Sequence, residues 1–162
     1  MRFSMPHRFN VVVLAALMGC ANASMAGSRA DDSFAGFNSA FLVQSGGTFY
    51  KNSFVNGSAD GTWSGSLDIL VAEDAYERTG EPSQKALVES LLTTWLKSTP
   101  TPWAWDGWND DIGWFSLALI RGYQMTGDAN FLTAAKYGFD MAGPEDGIRS
   151  TTAAASGNSS RT

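Results

Sequence analysis

Tyr76-Glu77-Arg78-Thr79-Gly80-Glu81 and Tyr123-Gln124-Met125-Thr126-Gly127-Asp128 are two versions of one sentence, 47 residues apart. Each ends a segment with apolar residues at helical spacing and opens a second, amphipathic one. Glycine at 80 and 127 suits the left-handed residue that stops a helix, and the acid after it suits the start of the next. A helical hairpin recurring at this period is the signature of an α-toroid or α-solenoid. The plainer reading is two unrelated αα-hairpins that share good turn chemistry.

Outward from these turns, every long periodic segment reads as helix and none alternates as a strand. Phe34, Phe37, Ala40 and Phe41 place a helix over about Asp32 to Val43. Ser45 to Gly61 is rich in Gly, Asn and Ser and reads as a loop, with Asn56-Gly57-Ser58 as a glycan acceptor. Thr62 to Arg78 is the second helix, carrying Trp63, Leu67, Leu70, Val71, Ala75 and Tyr76. Ser83 to Lys97 is the third, with Leu87, Val88, Leu91, Leu92 and Trp95 on one face and Lys85, Glu89 and Lys97 opposite. Asp110 to Met125 is the fourth, apolar almost all round, which predicts burial on most sides. Asp128 to Met141 is the fifth, with Phe131, Leu132, Ala135 and Phe139 against Asn130, Thr133, Lys136 and Asp140. The fold class expected is all-α, built from paired helical hairpins over 32–142. After Gly143 a single large apolar residue, Ile148, stands among small and polar ones, so 143–162 reads as a disordered tail.

The first 23 residues read as an export signal. Arg2, His7 and Arg8 form a basic start, Val11 to Met18 an apolar stretch, and Ala21-Asn22-Ala23 a cleavage site. Leu17-Met18-Gly19-Cys20 also resembles a lipobox in which Cys20 is lipidated, and an uncleaved anchor is the third option. All three place the protein outside the cytoplasm, secreted or at the cell surface, without a span in the mature chain. The only His is His7 and the only Cys is Cys20, both inside this leader. Removing 23 of the 162 residues therefore leaves 139 with neither imidazole nor thiol. A Ser-His-Asp triad, a Cys nucleophile, a disulfide and an imidazole or thiolate zinc site are excluded, and no cofactor is indicated. Chemistry, if present, falls to carboxylates. With 16 acidic against 11 basic residues and a net charge of −5, binding to nucleic acid through phosphates is disfavoured.

Carboxylates and indoles are densest in one segment. Trp103, Trp105, Asp106, Trp108, Asp110, Asp111 and Trp114 lie within twelve residues, on a loop that enters the fourth helix. Flat aromatics beside carboxylates suit a sugar, whose apolar face lies on an indole while Asp and Asn take its hydroxyls. The same tryptophans could instead fill the core beneath the loop. Asp110 and Asp111 are adjacent at a helix start, where carboxylates commonly do no more than cap the helix and favour its dipole. Neighbouring carboxylates also repel, which separates their pKa values into an acid and an ionised partner. Successive helical residues point about 100° apart, which lets two carboxyls flank one glycosidic bond at roughly 5 Å, the separation found in retaining glycosidases.

The run Trp105-Asp106-Gly107-Trp108-Asn109-Asp110-Asp111-Ile112-Gly113-Trp114-Phe115, followed by Tyr123 to Asp128, resembles the signature of glycoside hydrolase family 76, the endo-α-1,6-mannanases. Leu67-Asp68 and Ala75 to Gly80 are similar to the hairpin that precedes it in that family. The resemblance extends from about Phe34 to Ala142. It implies an (α/α)6 toroid that hydrolyses α-1,6-linked mannan with retention, Asp110 being the nucleophile and Asp111 the general acid/base. Trp63, Asp68, Trp105, Asp106 and Trp114 then line the sugar groove. No metal site is implied. A six-hairpin toroid needs twelve helices and about five are legible, so the expectation is an incomplete ring, from a truncated chain, with the apolar faces of the fourth helix partly uncovered. Within the same resemblance, a transglycosylase joining wall glycoproteins to polysaccharide is the alternative. A non-catalytic carbohydrate-binding or helical interaction module, or a chain too short to fold stably, are the alternatives outside it.

Overall fold

A computed structural model of the chain describes residues 29–55 and 57–142. The residues read as a leader (1–23, with His7 and Cys20), as a glycan acceptor (Asn56) and as a tail (143–162) lie outside the described residues. Helix α1 covers 29–41. Strands β1 (Leu42–Val43) and β2 (Phe49–Tyr50) follow, then α2 (Thr62–Thr79), α3 (Pro82–Ser98), α4 (Asn109–Thr126) and α5 (Ala129–Met141). The fold is all-α apart from the antiparallel β1–β2 pair, in which Leu42 faces Tyr50 and Val43 faces Phe49. That pair corrects two readings, since β1 takes Leu42 and Val43 out of the helix expected to run to Val43 and β2 interrupts Ser45 to Gly61 as a loop: strands of two residues are too short to carry a period of two. No helix among the described residues is long and apolar enough to cross a membrane.

The 47-residue period is structural. Helix α4 begins and ends 47 residues after α2, Asn109 against Thr62 and Thr126 against Thr79, and α5 begins 47 after α3, Ala129 against Pro82. The turns share their glycine and threonine hydrogen bonds, although only Asp128, and not Glu81, caps the next helix with its side chain. Gly80 (φ 68°) donates its N–H to the Tyr76 carbonyl and Gly127 (φ 79°) to the Tyr123 carbonyl, both in the left-handed region that only glycine enters cheaply. The hydroxyls of Thr79 and Thr126 donate to the carbonyls of Ala75 and Gly122, and each accepts the backbone N–H of the acid two residues on, Glu81 or Asp128, at 3.2 Å.

These two-residue turns fold α3 back on α2 and α5 back on α4. Helix α3 is also antiparallel to α4, since Trp95 stacks on Phe115 while Leu92, earlier in α3, reaches Gly122, later in α4. So α2 and α4 run parallel as neighbours, each with its partner folded against it. Between them lies one core, in which Ile69, Ala72, Val88, Leu91, Leu92, Ile112, Phe115, Leu119, Phe131 and Ala135 are buried. Each large aliphatic or aromatic side chain sealed there contributes about 1.5–3 kcal/mol.

Three sequence expectations need correction. Helix α4 is not buried on most sides: Trp114, Leu117 and Ile120 remain 40, 42 and 36% exposed along one face. Phe139 of α5 is 70% exposed, and the buried side of that helix runs instead through Phe131, Ala134, Ala135 and Gly138. On α2 the buried positions are Ser66, Ile69, Ala72, Glu73 and Ala75, while Trp63 and Val71 stand out in solvent. The acid Glu73 is buried because α4 lies over it, a tertiary fact that no local pattern records.

Candidate functional site

The N-termini of α2 and α4 and the C-terminus of α3 share one end of the molecule, and the sequence-predicted site residues gather there in two groups. The first is the loop into α4. Trp103 is 1% exposed and donates its indole N–H to the Thr99 carbonyl at 2.9 Å. Its ring meets Trp95 and Tyr137 edge-on. Of the four tryptophans in the segment this one fills the core, and it anchors the loop. Trp105 and Trp108 remain 57 and 70% exposed. An Asp106 carboxylate oxygen accepts the Trp108 N–H at 3.0 Å and tightens the turn between them.

Trp108 is the N-cap of α4 and supplies no side-chain cap. Asp110 and Asp111 occupy the first turn, where the helix dipole favours negative charge. Among the described residues neither carboxylate accepts a hydrogen bond, so the capping role is left unfilled. The Asp111 carboxyl is held above the usual range, first by desolvation and then by the charges of Asp106 and Asp110. One turn further along, three residues from Asp111 and four from Asp110, Trp114 shares their face of the helix. Asp106, Asp110, Asp111 and the indoles of Trp105, Trp108 and Trp114 therefore form one exposed acidic and aromatic patch.

The second group centres on Asp68. Its carboxyl is pushed up to about 6, by burial first, then by the charge of Asp60 and by a hydrogen bond between the two carboxyls. Asp60 holds the start of α2, accepting from the Gly61 N–H at 2.8 Å and the Ser64 hydroxyl at 2.7 Å. Tyr50 of β2 donates to Asn38 Oδ1 at 2.6 Å, and burial together with the Asp68 charge raises its phenol above the ordinary range. Beside them is a mainly apolar cavity of about 250 Å³, walled by Tyr50, Asp60, Ile69, Leu91 and Trp95. Asp68 thus belongs with Asp60 and Tyr50, and the charges that act on Asp111 do not include it. Sequence reasoning missed Asp60, although an Asp-Gly directly before a helix is a turn signal. Tyr50 carried no signal, because only tertiary structure brings it to Asp68.

Trp63, 54% exposed in the first turn of α2, is the repeat counterpart of Asp110. The two occupy the same position on parallel neighbouring helices. No family model and no curated protein matches the chain. Among the described residues, no three His, Cys, Asp or Glu side chains are grouped so as to hold a metal ion.

Proposed function

We propose that the chain is a glycoside hydrolase of the family 76 kind, which cleaves α-1,6-mannosidic bonds of mannan outside the cell with retention. The observation that carries this reading is the Asp110–Asp111 pair: adjacent carboxylates without hydrogen-bond partners, on one helical turn, flanked by exposed indoles. The roles divide by environment. Asp111, whose carboxyl is shifted upward by desolvation and by the charges of Asp106 and Asp110, is the one of the pair assigned to protonate the leaving glycosidic oxygen. Asp110 attacks the anomeric carbon, and the glycosyl-enzyme ester is released by a water that Asp111, now ionised, deprotonates. Trp105, Trp108 and Trp114 offer apolar faces to the pyranose rings, and Asp106 takes sugar hydroxyls.

The test is release of reducing ends from α-1,6-mannan by the full chain and by its Asp110→Asn and Asp111→Asn variants, each checked for unchanged helical circular dichroism. The wild-type chain should hydrolyse mannan, with a loss of about 10²–10⁴-fold for Asp111→Asn and at least as much for Asp110→Asn. Equal turnover in all three rejects the assignment. The exposure of Trp105 and Trp108 favours a second reading, a module that binds mannan without cleaving it; retention on a mannan column with no product identifies that case.

A further inference from the structure

The cavity of about 250 Å³ beside Asp60 takes no part in the proposed hydrolysis, since no residue of the patch around Asp110 and Asp111 walls it. It is held open by the fold itself. Thr48 donates its N–H to Thr94 Oγ1 at 3.0 Å, which pins the turn between β1 and β2 to α3. Asp60 donates its N–H to the Tyr50 carbonyl at 3.0 Å, which ties the residue before α2 to β2. The walls contributed by β2, by Asp60 and by the last turns of α3 are thereby fixed relative to one another.

The lining combines two chemistries. Phe49, Tyr50 and Trp95 bring three aromatic rings and Ile69 and Leu91 aliphatic surface, whereas Asp60 brings a carboxylate. Asp60 Oδ1 accepts from the Gly61 N–H and the Ser64 hydroxyl, both neutral donors, which hold the group without cancelling its charge. Asp68, hydrogen-bonded to Asp60 through its carboxyl, adds charge of the same sign. Among the described residues no Lys or Arg pairs with either acid: Arg78 is taken by Asp31, and Arg121 by Glu73, Asp74 and Glu77. A neutral apolar ligand would strip water from this charge and give nothing back, and an anion would be repelled. A bare metal ion would exchange its hydration shell for mostly apolar walls. An ammonium with an alkyl coat meets both chemistries, its charge facing Asp60 and its alkyl groups lying on aromatic rings, as in the cages that recognise such ligands. We propose that this cavity binds a small organic cation, an ammonium carrying methyl or short alkyl groups, between Asp60 and the rings of Phe49, Tyr50 and Trp95.

Isothermal titration calorimetry of the full chain at neutral pH, with choline and with dimethylbutanol, its uncharged carbon isostere, tests this. Choline should bind at least about tenfold more tightly than the alcohol. Asp60→Asn keeps the oxygen to which Gly61 and Ser64 donate, so circular dichroism should be unchanged while choline falls to the affinity of the alcohol. If that variant does not fold, Phe49→Leu, which keeps the wall apolar and removes one aromatic face, should weaken choline several-fold and leave the alcohol unchanged. Equal affinity for the two probes overturns the proposal, as does absence of choline binding. Choline affinity undiminished in a folded variant also overturns it, because binding then lies elsewhere, as on the indoles around Asp111. No readout depends on glycosidase activity.

Discussion

Asp74 and Arg121 stand at equivalent positions of two successive structural units, 47 residues apart, and a 2.6 Å hydrogen bond joins them. The same interval separates Arg78 from Asp31, which are also paired. The Asp74–Arg121 pair ties α2 to α4, helices whose ends coincide under this shift, while the Asp31–Arg78 pair ties α1, which has no counterpart one period on, to the end of α2. The agreement of α2 with α4 in helix limits and turn hydrogen bonds favours a repeated unit over two unrelated hairpins that share turn chemistry.

Glu73 makes stability depend on pH. It is fully buried, and among the described residues no partner within hydrogen-bond geometry satisfies either carboxylate oxygen, although Arg121 lies 3.4 Å away. Burial outweighs the pull of Arg121 and pushes the carboxyl up to about 8, from 4.5. The folded state therefore binds more protons than the unfolded state between these values. Its contribution is complete below pH 4.5 and is lost as pH rises through about 8. Asp68 acts in the same direction over a lower window, up to about 6. Chemical denaturation should show stability falling by on the order of a few kcal/mol from pH 5 to pH 9. Glu73→Gln should flatten the part above pH 6. A rise in wild-type stability over that range contradicts this account.

Trp103 and Trp108, five residues apart, should behave oppositely. Trp103→Ala empties a sealed site and should cost about 3–5 kcal/mol in denaturant titration. Trp108→Ala removes a ring that is 70% exposed and should change stability by less than about 0.5 kcal/mol. Its effect should appear as weaker retention on mannan. A large stability loss in Trp108→Ala would place that ring in the core.

Gly138→Ala should loosen the base of the site. A Cβ at this position collides with Ser116 Oγ of α4 and with the Trp103 ring of the loop before it, both packed against α5. Overpacking of this kind costs about 1–3 kcal/mol. Because Trp103 anchors the loop that carries Asp106, near-ultraviolet circular dichroism should change along with the thermal midpoint. An unchanged melt shows that the helices separate more easily than this packing implies.

What the sequence disclosed was local and periodic. The Thr-Gly-acid turns at 79–81 and 126–128 fix chain reversals through their own backbone geometry, and the face of α3 through Val88, Leu91 and Leu92 follows a 3.6-residue period. Both were therefore legible. The face of α4 was not, because composition around a helix cannot say which side has a neighbour. Glu73 reads as a surface acid until α4 covers it. Within the candidate site, the exposed patch around Asp110 and Asp111 comes from contiguous residues and was legible. The Asp60–Asp68–Tyr50 group is assembled from separate elements and was visible only through Asp68. Trp103 was indistinguishable in sequence from its three neighbours, since the hydrogen bond to Thr99 that buries it depends on the path of the loop.

The most direct test of the central claim is the stereochemistry of the product. The full chain is incubated with a linear α-1,6-mannan and the anomeric protons are followed by NMR in the first minutes, before mutarotation. Two carboxylates on one turn acting as nucleophile and acid/base predict that the α anomer forms first. Initial appearance of the β anomer, or no new reducing end from a chain whose cooperative helical melt shows it to be folded, contradicts the account.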